Sequence, residues 1–112
     1  MLKDLQRALI RALTSNRPVE TLRREKASLS PEERALVDRV GEEQFILTGL
    51  IVRKLRFERI CRGDQEAEAW FARDPERFIQ AFQAYNEEVP CTETFPRGEA
   101  AAFQAWRKRK NP

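Results

Sequence analysis

Twice along this chain a short capping side chain stands directly before a proline and one or more acids, at Ser30-Pro31-Glu32-Glu33 and at Asp74-Pro75-Glu76. Each is a helix start. The Ser or Asp oxygen accepts from a first-turn N–H that has no partner inside the helix, and proline at the first helical position gives up no hydrogen bond. At Ser30 the third helical position also holds a carboxylate, Glu33, which fits a capping box. A chain punctuated this way, with helical apolar spacing between the signals, is constrained to short packed helices.

Periodicity fills in the rest. Leu2, Leu5, Leu9 and Leu13 recur at helical spacing with Lys3, Asp4, Arg7 and Arg11 on the other faces, which predicts an amphipathic first helix. Asn16 and Pro18 break it, and Pro18 opens a short second helix ending near Lys26. The helix capped by Ser30 is expected to carry Leu36, Val37 and Val40 inward, with Gly41 ending it or beginning the next. Residues 45–60 are the most apolar stretch, and on a helix Leu47, Leu50, Ile51 and Leu55 share one broad face, as expected of a central helix packed on two sides. The rival there is a short β-hairpin near 50–60, turning at Arg53-Lys54, because Leu50-Ile51-Val52 is partly β-branched and residues 55–58 alternate.

Arg62-Gly63-Asp64 interrupts the run, and Asp64 is placed to cap a helix carrying Ala67, Trp70 and Phe71. After Asp74-Pro75, the residues Phe78, Phe82, Tyr85 and Val89 fall at spacings of four, three and four, so that helix has an aromatic face. Val89-Pro90 ends it, residues 91–96 read as a loop, and Gly98 to Lys110 reads as a last helix with Ala102, Phe103 and Trp106 aligned before Arg107-Lys108-Arg109-Lys110. The expected fold is mostly α, a small bundle of about five to seven short helices in a single domain over residues 1–112. No run approaches the roughly 18 apolar residues that span a bilayer, and the N-terminus alternates charge with Leu where a signal peptide would be apolar. A cytoplasmic protein without a membrane partner is expected.

Composition limits the chemistry more sharply. There is no histidine among the 112 residues, which removes the usual general base near neutral pH, the commonest metal ligand, and any Ser-His-Asp, Cys-His or Glu-x-x-His arrangement within the chain. Cys61 and Cys91 stand thirty residues apart with no C-x-x-C and are expected as two reduced thiols. Gly41, Gly49, Gly63 and Gly98 form no phosphate loop or dinucleotide turn. The pairs Glu32/Glu33, Glu42/Glu43 and Glu87/Glu88 are sequence neighbours that point about 100° apart on a helix, and Asp64, Glu66 and Glu68 lack the pattern of a calcium loop. No catalytic residue, metal ligand or cofactor is therefore assigned to this chain, and activity alone would need a lone Cys, Tyr85 or a shifted carboxylate that nothing marks.

Binding is the remaining reading. With 21 Lys and Arg against 18 Asp and Glu the chain carries a net charge of +3, and Arg53, Arg56, Arg59 and Arg62 form an i, i+3 stripe. Such a stripe suits phosphates, a solvated helix face, or the acid-binding face of a partner interface. Trp70, Phe71, Phe78, Phe82, Tyr85, Phe95, Phe103 and Trp106 all lie in the second half, more aromatic surface than so small a domain readily covers. The expected partner-binding set is Trp70, Phe82, Tyr85, Phe95 and Trp106 as apolar anchors, with Arg53, Arg56 and Arg59 steering an acidic peptide or partner. The 89–96 loop, between two aromatic helices, is the best place for such a surface. The alternative is a basic helical nucleic-acid-binding protein using the same arginines and the terminal basic run.

Two stretches resemble known proteins. Residues 1–60, with Leu29-Ser30-Pro31-Glu32-Glu33-Arg34-Ala35-Leu36 ahead of an apolar helix, look like the short helical domains of small ring-cleavage dioxygenase subunits and of leader-peptide segments. Residues 74–106, with Asp74-Pro75, Phe78, Phe82, Tyr85, Pro90, Phe95-Pro96, Phe103 and Trp106, are similar to the small partner proteins of multinuclear non-heme iron enzymes that modify ribosomally made peptides. That resemblance implies a non-catalytic accessory subunit that docks on the iron enzyme and helps present the precursor peptide, the partner supplying the iron ligands.

Overall fold

A computed structural model describes residues 2–110, with side chains from residue 3 onward; the predicted place of Leu2 in the first apolar stripe lies outside the described side chains. Among the described residues the fold is a mostly-α bundle of seven helices with no strand: α1 (Leu2–Thr14), α2 (Pro18–Lys26), α3 (Pro31–Val40), α4 (Glu42–Gly63), α5 (Gln65–Arg73), α6 (Pro75–Glu88) and α7 (Pro96–Lys110). The starts predicted at Pro18, Ser30-Pro31, Asp64 and Asp74-Pro75 hold, while the last helix, expected from Gly98, begins two residues earlier at Pro96. Ser30 Oγ accepts from the Glu33 N–H at 3.2 Å while Glu33 Oε1 accepts from the Ser30 N–H at 3.0 Å, a complete capping box. Asp64 and Asp74 cap α5 and α6 through the backbone N–H groups of Glu66 and Arg77. Gly41 ends α3 at φ +85°, a backbone conformation that costs any side chain with a Cβ.

The hairpin alternative at 50–60 does not form, because α4 runs unbroken through it. Its residues 53–59 are mostly Arg, Lys, Leu and Glu, strong helix formers, and four alternating residues do not outweigh them.

The chain divides into two compact units, residues 1–53 and 54–112, with α4 contributing to both. In the first, Ala8, Ala12, Leu22, Leu29, Val37 and Phe45 form the core, and Leu5, Leu9 and Leu13 pack at its edge. Two alanines, not the leucine row, thus occupy the centre of α1's inward face. Gly49 of α4 lies against Pro18, and a Cβ there would stand 2.8 Å from the proline ring.

In the second unit Ile60, Ala67, Phe78, Phe82, Tyr85, Phe103 and Trp106 form an aromatic core. Phe57 meets Phe71, Phe78 and Phe82 edge-on with centroids 5.0, 5.2 and 5.3 Å away. Gly63 ends α4 against the first turn of α7, where a Cβ would sit 2.1 Å from the Pro96 carbonyl oxygen.

Candidate functional site

Helix α4 is turned opposite to its apolar pattern. Phe45, Gly49, Arg56 and Ile60 are buried, whereas Ile46, Leu47, Leu50, Ile51 and Leu55 are exposed, Leu47 by 56% and Ile51 by 58%. This corrects the expectation that Leu47, Leu50, Ile51 and Leu55 face the core. On α3 the same correction applies to Leu36 and Val40, both about half exposed, with Val37 alone of the three inward. The physical reason lies in what α4 packs on. Pro18 needs a residue without a side chain, which Gly49 supplies, and a buried carboxylate in the second unit needs guanidinium groups, so both demands rotate the aliphatic side outward.

That carboxylate is Glu99 of α7, fully buried. Its Oε1 accepts from Arg56 Nε at 3.2 Å and from Arg59 Nη2 at 3.1 Å, and its Oε2 accepts from the Tyr85 hydroxyl at 2.6 Å. Arg56, 1% exposed, also donates to Asn86 Oδ1 at 3.1 Å and to the carbonyls of Val89 at 2.9 Å and Pro90 at 3.3 Å, and its guanidinium carbon lies 4.3 Å from the Tyr85 ring centroid. Arg59 reaches Cys91 Sγ at 3.5 Å, while its buried Nε has no partner among the described residues. Burial, reinforced by the hydrogen bond to Glu99, pushes the Tyr85 phenol far above its usual range. The arrangement is a clamp: it ties the start of the 89–95 segment to α4 and α7, and it keeps the Glu99 carboxylate and the Tyr85 phenol away from solvent.

The residues singled out from the sequence fall into distinct places. Arg56, Arg59 and Tyr85 meet in the clamp. Phe82 and Trp106 are buried in the aromatic core, and the Trp106 indole N–H donates to Glu88, which with Lys110 holds that carboxyl below its ordinary value. Trp70 is half-buried beneath Arg107, whose guanidinium carbon lies 4.2 Å from the indole centroid. Arg53 belongs to the first unit and donates to the Ser15 carbonyl at 2.8 Å. Phe95 alone of the five aromatics lies open, at 75% exposure. The i, i+3 arginine row is thus spent largely on protein acceptors instead of forming an open track for phosphates.

Two clefts mark the second unit. One, of about 570 Å³, has Trp70, Arg73, Arg77 and Arg107 among its walls. The other, of about 530 Å³, is walled by Phe57, Phe71 and Cys61 and rimmed by Lys54, Glu58, Arg62 and Glu68. Burial, and secondarily Glu68, raises the Cys61 thiol above its ordinary value, which keeps it protonated and a poor nucleophile. Both cysteines are free thiols, and no three acidic or cysteine side chains among the described residues group closely enough to hold a metal ion. No helix among the described residues is long and apolar enough to cross a membrane.

The exposed aliphatic face was missed by sequence reasoning because a helix with two periodic rows does not declare which one is inside. Gly49, in register with Phe45, was the available signal, since a glycine within an apolar helix marks close approach of a neighbour. No protein-family model matches this chain, no curated protein is similar to it in sequence, and no solved structure matches its fold.

Proposed function

We propose that this chain is a non-catalytic binding subunit that docks on a partner enzyme through the aliphatic face of α4. The observation that carries this reading is the inverted helix: Ile46, Leu47, Leu50 and Ile51 occupy adjacent positions one turn apart, all exposed, while arginines are turned inward. Four half-exposed aliphatics of this size represent about 3–6 kcal/mol of burial still to be gained, a gain that a protein partner supplies and water does not. In its sharpest form, which rests on the resemblance of residues 74–106, the partner is a multinuclear non-heme iron enzyme acting on a ribosomally made peptide in the cytoplasm. This chain then contributes docking and peptide presentation and no metal ligand.

The test is affinity capture from the native host at 200 mM salt with nuclease present, comparing the wild-type chain with a Leu47→Asp/Leu50→Asp variant, with iron measured in the eluate. A stoichiometric, iron-containing enzyme retained by the wild type and lost from a variant of unchanged circular dichroism supports the reading. Retention indifferent to the two substitutions overturns it. So does a wild-type homodimer, dissolved by them, that captures no enzyme, and so does capture that appears only when nuclease is omitted.

A further inference from the structure

The cleft beside Trp70 has the chemistry of a carboxylate receptor. Its three guanidinium groups come from separate elements: Arg73 from the end of α5, Arg77 from the first turn of α6, and Arg107 from α7. Two carboxylates, Glu66 and Asp74, share the wall, so the lining keeps one excess positive charge. Asp74 is already occupied, since one oxygen accepts from the Arg77 N–H at 3.4 Å as the cap of α6 and the other lies 3.7 Å from Arg77 Nε. Arg107 is held in place by its stack on Trp70 and by a 3.5 Å bond to Gln104. Among the described residues the Arg73 guanidinium has no hydrogen-bond or ion-pair partner. The cleft therefore combines a fixed cation, an uncommitted one and an indole wall, in a volume of about 570 Å³ that matches sites for small ligands and side chains.

We infer that this cleft binds the acidic side chains of a peptide, with Arg73 and Arg107 pairing a carboxylate and Trp70 packing against the stem that carries it. A guanidinium fork matches a carboxylate with two parallel hydrogen bonds, and a cation already stacked on an aromatic ring loses little freedom on binding. With Arg77 engaged by Asp74, only two guanidinium groups of the lining are left for a ligand, enough for one carboxylate and too few for the run of contacts a phosphate backbone makes. The inference deepens the binding-subunit reading by naming the chemistry of the peptide, and it depends on that reading only for what the peptide is used for. It also moves the steering of an acidic peptide from Arg53, Arg56 and Arg59 to a different set of arginines.

The experiment is fluorescence anisotropy of a fluorescein-labelled hexaglutamate peptide titrated with the full chain at 50 mM salt, alongside labelled hexalysine and labelled oligo-dT. Saturable binding of hexaglutamate and not of hexalysine is expected, weakened about tenfold by Arg73→Gln and by Arg107→Gln and tightened by Glu66→Gln. Arg73 and Glu66 are exposed, so their variants keep the fold even where Arg107→Gln disturbs it. No binding of hexaglutamate, or binding unchanged in all three variants, overturns the inference. Oligo-dT binding that is tighter and dependent on the same arginines also overturns it, reassigning the cleft to nucleic acid. Because the probe binds the purified chain directly, loss of this site leaves capture through α4 intact, and failure of capture leaves the hexaglutamate titration standing.

Discussion

At the scale of single residues, the chain concentrates its electrostatic risk on Glu99. A fully buried carboxylate is tolerable because two guanidinium groups and a phenol satisfy both oxygens, and removing it strands two cations. Glu99→Gln is therefore expected to cost about 3–5 kcal/mol in urea unfolding, whereas Tyr85→Phe, which leaves the charges paired, costs about 1–3 kcal/mol. A loss below about 1 kcal/mol for Glu99→Gln contradicts the clamp. Tyr85 adds a pH signature. Its phenol is raised in the folded state, so the unfolded chain releases that proton first as pH climbs past about 10. The contribution to stability is full below that pH and is lost above it. Tyr85 is the sole tyrosine, so phenolate absorbance reads it directly: native protein at pH 10.5, on the order of half a unit above the free phenol value, should show almost none, and guanidinium-unfolded protein most of it.

At the scale of elements, the helix starts were legible and the orientation of α4 was not. Caps are local chemistry: Ser30, Asp64 and Asp74 act on N–H groups two or three residues away, so the sequence displays both partners at once. The face a helix buries is decided by residues far along the chain. In the sequence Arg56 reads as part of an outward stripe for phosphate, solvent or a partner, because its acceptors, Asn86, Val89, Pro90 and Glu99, lie thirty or more residues away. The aromatic face of α6 is legible, since Phe78, Phe82 and Tyr85, all buried, leave no competing apolar row on that helix, and Val89, the fourth residue of the row, is its C-cap. The capping box offers a pH test of its own. Hydrogen bonds from the Ser30 backbone hold the Glu33 carboxyl below its ordinary value. Its stabilisation is full above about pH 4.5 and is lost as pH falls through the lowered folded value. Glu33→Gln keeps the box geometry and removes the titration, so the variant's stability should fall less steeply than wild type between about pH 4.5 and 2.5 in urea unfolding. Parallel acid limbs contradict this assignment.

At the scale of the whole molecule, the two units have cores of different kinds. The first relies on two alanines, three aliphatics and a single phenylalanine, and it leaves Leu36, Val40, Ile46, Leu47, Leu50 and Ile51 half in water. The second buries five large aromatic side chains around Ile60 and Ala67, locks Glu99 into the clamp and seats Gly63 against Pro96. Large aromatic side chains each remove more apolar area from water than alanine or leucine, so the second unit has more to lose on opening. Native-state hydrogen exchange should therefore find amides of α1–α3 opening at lower free energy than those of α6 and α7. Equal protection in both units, or the reverse order, contradicts this. Binding then supplies the missing stabilisation by mass action: a partner seated on residues 46–51 adds protection according to its concentration over Kd, about 2.7 kcal/mol at a hundredfold excess. The increase should appear first in α1–α3 and the 46–51 turns of α4, the elements that share the first unit's core, and the Leu47→Asp/Leu50→Asp variant should show none of it. An increase confined to α6 and α7 places the docking surface on the second unit and overturns the role given to α4.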